Sequence, residues 1–225
     1  ETALGEFAID TGIEENILVI GDSSGKSTLL RNMIHRISEG IPPSDVKLLV
    51  IDYRRQLLGE CPATHLAGYA STKQDVQEFI SQLVPLLESR MPAGVDDPQT
   101  LRDRSWWKGP DIFLVVDDYD LVATSSGNPL QGLLELLPYG RDIGLHMVVA
   151  RRCTGFSRTS FEPIMARLRE LHPTIFLMSG TAEEGIIAGG RKARSLSKGR
   201  ADVISNQGTH QVVQFAHHVG EEKTE

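Results

Sequence analysis

Two stretches of this sequence carry residues whose types and spacing could bind and cleave a phosphate anhydride. The first is Gly21-Asp22-Ser23-Ser24-Gly25-Lys26-Ser27-Thr28. Its glycines let the backbone turn tightly and come close to an anion. Successive backbone N–H groups at the start of a helix then form an anion cradle. In that cradle Lys26 would reach the β- and γ-phosphates of ATP as a point charge, and Ser27 would offer its hydroxyl to Mg2+. Every residue from Gly21 to Thr28 is therefore a candidate nucleotide-binding residue.

The second stretch runs from Asp111 to Asp120, an apolar run from Ile112 to Val116 followed by Asp117, Asp118, Tyr119 and Asp120. A buried strand that ends in adjacent acids delivers carboxylates to a metal-bound phosphate. Asp117 would hold Mg2+ through water, and Asp118 would polarise the attacking water. Lys26 and Asp118 are thus the catalytic candidates, and Ser27 and Asp117 the metal candidates. The plainer readings are a Gly/Ser turn between strand and helix and a solvated acidic turn. Each loses force when both motifs occur in one chain.

The phosphate loop departs from the usual spacing, which puts four residues between its first glycine and Gly-Lys-Ser/Thr. Here three residues separate Gly21 from Gly25, so Ile20 takes the first glycine's place in strict register. A shorter loop has one backbone N–H fewer to offer and a tighter turn, which predicts reduced or lost nucleotide affinity. Asp118 stands where many ATPases carry glutamate, and its shorter side chain predicts slow hydrolysis.

The elements that must position these groups follow from apolar periodicity. Asn16 to Ile20 is a short strand before the loop. Ser27 to Ile37 has helical spacing, with Leu29, Leu30, Met33, Ile34 and Ile37 on one face. Gly40, Pro42 and Pro43 stop that helix. Val46 to Ile51 is a second buried strand, closed by Asp52, and Tyr69 to Thr72 holds a short third. Ser71 and Thr72 cap a long helix from Lys73 to Arg90, with a kink or break at Pro85. Met91 to Gly109 reads mostly as loop. Ile112 to Val116, without alternation, is a central strand. A short apolar helix follows at Leu130 to Leu137, a strand at His146 to Ala150, a helix at Phe161 to Leu171 and a strand at Thr174 to Met178. Gly199 to Phe215 reads as a β-hairpin turning at Asn206-Gln207-Gly208. The alternation predicts an α/β fold, a mostly parallel central sheet flanked by helices with a C-terminal β-hairpin. It reads as one domain over 1–218 with a polar tail at 219–225.

Bulk properties narrow the function classes. The net charge is −7 and the pI about 5.5, which argues against a surface built as a whole to grip nucleic acid. No apolar run nears the roughly 20 residues of a membrane-spanning helix, so no direct membrane insertion is expected. The first residues lack signal-peptide character. Cys61 and Cys153 have no metal-ligand spacing, and a reducing cytosolic setting is the simpler reading. His217 and His218 are adjacent rather than at ligand spacing, so a metal other than Mg2+ is not expected.

Given both motifs, the chain resembles the FtsK/SpoIIIE branch of RecA-like P-loop motor ATPases. Within it, the chain is similar to the C-terminal (third) ATPase domain of EccC, the motor of type VII (ESX) secretion. The segments that carry the resemblance are Leu86 to Pro92, Leu101 to Asp111 with Trp106-Trp107, Tyr139 to His146, Val148 to Arg152, Arg167 to Leu171, Met178 to Gly180 and the turn Gly189-Gly190. The resemblance implies a RecA-like P-loop NTPase fold with ATP and Mg2+ as ligands. It implies other ATPase domains of the same motor as partners, with hexameric homo-oligomers in the full assembly. It also implies recognition of WXG100-type (ESX) secreted proteins, and a cytoplasmic place at the inner face of the cell membrane. Motors of this branch usually carry a sensor glutamine near the γ-phosphate, where this chain has Arg152. An arginine there cannot position water in the same way. It could hold phosphate, or pair with Asp117 or Asp118. Together the short loop, Asp118 and Arg152 imply a site tuned for binding rather than fast turnover.

Two alternatives stay open at this stage. One is a nucleotide-free module that recognises the substrate's tail. The other is a DNA translocase of the same branch, which the acidic balance disfavours. The basic cluster from Arg191 to Arg200 reads as a solvated loop, and Trp106-Trp107 as one buried anchor and one partner surface rather than a peptide ledge.

Overall fold

Runs of β-branched and aliphatic residues, apolar at every position, demand burial on both faces, and the fold supplies it. The computed structural model describes residues 16–159 and 161–215. The expected tail at 219–225 and His217-His218 lie outside these residues. The strands are β1 (Asn16–Ile20), β2 (Val46–Ile51), β3 (Leu66–Ala70), β4 (Asp111–Val116), β5 (Leu145–Arg151), β6 (Thr174–Leu177), β7 (Ile186–Ala188), β8 (Arg191–Lys192), β9 (Arg200–Ile204) and β10 (His210–Gln214). The main sheet has the order β10-β9-β6-β1-β5-β4-β2-β3. From β6 to β3 every pairing is parallel. β9 is antiparallel to β6, and β10 to β9, so the expected hairpin extends the sheet by two strands.

Alternation along β1 divides the core. Ile17 and Val19 face a cluster that includes Leu29, Leu30, Met33 and Ile34 of helix α1 (Lys26–Gly40). Leu18 and Ile20 face the opposite cluster, which takes Val76, Ile80, Leu83 and Leu87 of α2 (Lys73–Glu88). Each such buried aliphatic side chain contributes roughly 1.5–3 kcal/mol relative to exposure. Helices therefore cover both faces, as a parallel sheet requires.

Shorter helices complete the chain: α3 (Pro98–Arg102), α4 (Tyr119–Val122), α5 (Gly140–Ile143), α6 (Phe156–Thr159) and α7 (Pro163–Glu170). α2 begins at a capping box, in which the Thr72 hydroxyl accepts from the Asp75 amide and the Asp75 carboxylate accepts from the Thr72 amide. It runs through Pro85 to Glu88 without the break expected there. The apolar helix expected at Leu130 to Leu137 is instead a pair of single 3-10 turns, Gln131–Leu133 and Leu137–Tyr139. Gly132 sits against Ile80 and Val84 of α2, where a Cβ would lie 3.3 Å from both, and Pro138 has no N–H to continue a helix. The two tryptophans are both half-buried, where one buried anchor and one partner surface was the expectation. Trp106 donates its indole N–H to the Arg90 carbonyl, and Trp107 to that of Asp142. The Arg90 guanidinium stacks 4.1 Å over Trp107.

Candidate nucleotide site

In an open parallel sheet, ligands bind outside the carboxyl ends of the strands. Here the ends of β1, β2, β4 and β5 bring together the loop at Gly21, Asp52, Asp117 and Arg151.

The phosphate loop is held in place from three sides. The Gly21 amide donates to the Arg151 carbonyl at 3.2 Å, and the Asp22 amide to the Ser179 carbonyl at 2.7 Å. The Gly199 amide donates to the Ser24 carbonyl at 3.3 Å. Gly21 is required by contact. A Cβ there would collide with the Ser24 hydroxyl oxygen and lie 2.7 Å from Met178 Cβ. The Asp22 carboxylate turns to the loop after β5, where it accepts from the Cys153 amide at 3.1 Å and the Thr154 hydroxyl at 2.8 Å. It acts as a tie for the loop, with its charge directed away from the cradle.

Ser23 and Gly25 take left-handed backbone conformations, φ +46° and +98°. Gly25 is the N-cap of α1 with no side-chain cap, and no acid lies in the first turn. A helix of this length with its opening N–H groups uncapped is an anion site. The Ser24 hydroxyl is buried and has no hydrogen-bond partner among the described residues, a further donor left at the cradle. Thr28 lies in the first turn of α1, partly buried. These residues fit a polyphosphate.

The two motifs meet. Ser27 Oγ donates to Asp117 Oδ2 at 2.6 Å, across 90 residues of sequence. Both oxygens are hard donors suited to Mg2+. Asp117 is 1% exposed, and burial holds its carboxyl above the usual carboxylate value. The Ser27 hydrogen bond opposes that rise, while the charges of Asp118 and Asp52 add to it. Asp118 stands in the left-handed region, φ +46°, where its own amide donates to Asp117 Oδ1. Its carboxylate lies 3.9 Å from Lys26 Nζ and 3.1 Å from Arg54 Nε.

Two residues here had no separate signal as site residues. Asp52 closes β2, beside the end of β4, and accepts from the Leu57 amide and the Tyr69 hydroxyl. It fixes the loop that carries Arg54. A strand-closing acid beside the acidic end of a neighbouring strand was the available clue. Arg54 itself has none, because its partner Asp118 is distant in sequence.

Arg152 departs from one expectation. It pairs with neither Asp117 nor Asp118. Its amide donates to Asp120 Oδ2 at 2.7 Å and its Nε lies 3.8 Å from the same oxygen. The other oxygen of Asp120 accepts from Arg151, which is buried. Asp120 lies in the first turn of α4 and accepts from Arg151 and the Arg152 amide at the end of β5, so it is the acid within reach. Arg194, in the basic cluster, pairs with Asp202 at 2.8 Å.

The FtsK/SpoIIIE family matches residues 6–105. The chain is 45% identical over 210 residues to the ESX-4 secretion system protein EccC4 of Mycobacterium tuberculosis, covering 93% of this chain and 17% of that protein. It is 39% identical over 218 residues to the ESX secretion system protein EccC of Thermomonospora curvata, covering 96% of this chain and 16% of that protein. The chain thus spans less than a fifth of these relatives. Among solved structures, the cytoplasmic domain of the Thermomonospora curvata type VII secretion ATPase EccC superposes with a TM-score of 0.91 at 39% identity, over 94% of this chain and 25% of that one. The same protein's ATPases 2 and 3, in complex with a signal sequence peptide, give 0.90 at 39% identity, over 94% and 38%. With a RecA-like fold, a phosphate loop joined to an acidic strand end and these relatives, the chain belongs to the FtsK/SpoIIIE family, among its EccC-type ATPase domains.

Proposed function

We propose that this domain binds Mg-ATP and hydrolyses it slowly, as the last ATPase module of a type VII secretion motor. The observation that carries the reading is the Ser27–Asp117 hydrogen bond of 2.6 Å beside an uncapped helix N-terminus. Lys26 and the amides from Ser23 to Thr28 would hold the phosphates, and Ser27 with Asp117 would hold Mg2+. When bound, the metal neutralises charge on the phosphates. Asp118 would orient the water. To reach phosphate, Lys26 must leave Asp118. The short loop, the short acid and Arg152 at the sensor position support slow turnover over fast cycling.

The relatives are named as ESX secretion system proteins, and one related structure holds a signal sequence peptide. By extension we place this domain beside other ATPase domains of one motor, in a hexameric assembly at the inner face of the cell membrane. There it would couple nucleotide binding to recognition and export of WXG100-type proteins. Among the described residues no helix is long and apolar enough to cross a membrane.

A second reading is a nucleotide-free recognition module. The observation that favours it is that Arg54 and Lys26 already share Asp118, so the site's charges are satisfied from within. Calorimetric titration with Mg-ATP, with Lys26→Ala as control, decides between them. Saturable binding that the variant loses supports the first. Absence of binding near millimolar Mg-ATP sinks it and leaves the second.

A further inference from the structure

We propose that Phe215 is the platform on which the base of the nucleotide stacks, an inference that rests on reading the site as one for ATP. The loop and Lys26 serve the phosphates and offer nothing flat or apolar. A base attached to those phosphates needs an aromatic or aliphatic face next to the loop. The element next to the loop is the β9–β10 hairpin, and it is tied there at its open end. The Gly199 amide donates to the Ser24 carbonyl at 3.3 Å, and the Phe215 amide donates to the Gly199 carbonyl at 2.9 Å.

These two bonds bring the Phe215 ring to the loop. Its Cε2 lies 3.9 Å from where a Cβ of Gly25 would stand and 3.8 Å from that of Gly199. Both positions are glycines with positive φ, +98° and +76°. The ring edge therefore stands beside the opening of α1, with Met178 Cε equally near the Gly25 position and Gln214 Nε2 nearest to the Gly199 position. Its inner side packs with the cluster that contains Met178 and Leu29, while the residue as a whole is half-buried. A ring held by the core before the ligand arrives loses little freedom on binding, which favours affinity. The plainer role for such a ring is to plug the end of the hairpin, and that role makes no distinction between ligands with and without a base.

That difference is the test. The 225-residue chain is titrated by calorimetry with Mg-ATP and with magnesium tripolyphosphate, as wild type, Phe215→Leu and Phe215→Tyr. Leucine keeps apolar bulk and removes the π-face, and tyrosine restores the ring. Stacking of a base on an aromatic side chain predicts a loss of about ten-fold in ATP affinity for Phe215→Leu. Tripolyphosphate affinity should stay unchanged, and Phe215→Tyr should match wild type. Equal weakening of both ligands by Phe215→Leu means a packing role and overturns the proposal. So does unchanged ATP affinity, or a wild type that binds both ligands equally. A wild type that binds neither ligand removes the ATP site itself, and the platform falls with it.

Discussion

Arg54 lies closer to Asp118 than Lys26 does, its Nε 3.1 Å from one carboxylate oxygen while Lys26 Nζ is 3.9 Å from the other. The acid assigned to the attacking water is thus neutralised by a side chain from the loop after β2. Arg54 is 62% exposed, so it can leave without a large cost to folding. We expect Arg54→Ala to raise kcat by up to about five-fold, since an exposed pair is worth roughly 0.2–1 kcal/mol and 1.36 kcal/mol is ten-fold in rate. The melting temperature should stay near wild type. Phosphate-release kinetics check this, and a fall in kcat would instead give Arg54 a phosphate-holding role.

Asp118 holds a left-handed backbone, φ +46°, which aspartate and asparagine tolerate better than most residues. Asp118→Asn therefore removes the base without straining the turn. Hydrolysis should fall by at least about 100-fold, with Mg-ATP affinity and melting temperature close to wild type. Hydrolysis that survives the change would take Asp118 out of the chemistry.

Asp117 links the site to pH. Its burial holds the carboxyl above the ordinary value of 3.8, so the folded state keeps a proton to higher pH than the unfolded chain does. Stability contributed by the protonated form is present at low pH and is lost as pH rises through the window above 3.8. Asp117→Asn removes that loss. Without nucleotide the variant should melt higher than wild type at pH 7. The gap should close as pH falls below the window, and binding of ATP should lose its dependence on Mg2+. Thermal melts across pH and titrations with and without the metal measure both. A variant that melts lower at pH 7 would contradict the account.

Gly21→Ala places a methyl group against the Ser24 hydroxyl oxygen and 2.7 Å from Met178 Cβ. Overpacking of this kind costs about 1–3 kcal/mol. Urea midpoints should fall accordingly, and affinity for Mg-ATP should drop because the shift is taken up by the cradle. An unchanged midpoint would show that the loop can relax.

Much of this was legible in the sequence because local rules governed it. Buried strands such as Ile112–Val116 are apolar at every position, and the loop announces itself by Gly25, Lys26 and Ser27 at the opening of a helix. The misread segments are those where tertiary contact overrode the local pattern. Leu130 to Leu137 has the apolar content of a helix, yet Gly132 packs on α2 and Pro138 interrupts, so single turns form. Pro85 reads as a kink or a break, and of these the break is absent: α2 continues for three residues beyond it, with Leu87 buried in the core. At the site, Ser27 and Asp117 could be paired in advance because each belongs to a motif. Arg54 on Asp118 and Asp120 beneath Arg151 could not, since neither contact leaves any trace in spacing along the chain.

The position of β1 in the middle of the sheet sets the order in which the site can come into being. Asn16 pairs in register with Met147, and Ile17 with Thr174. During synthesis the first strand must wait for partners made more than a hundred residues later, the kind of non-local closure that slows folding. The loop that follows it then needs Ser179 and Gly199 for its own anchoring. A nascent chain halted before Thr174 would carry the phosphate-loop sequence without a phosphate loop, so anion binding would report that the last strands have closed.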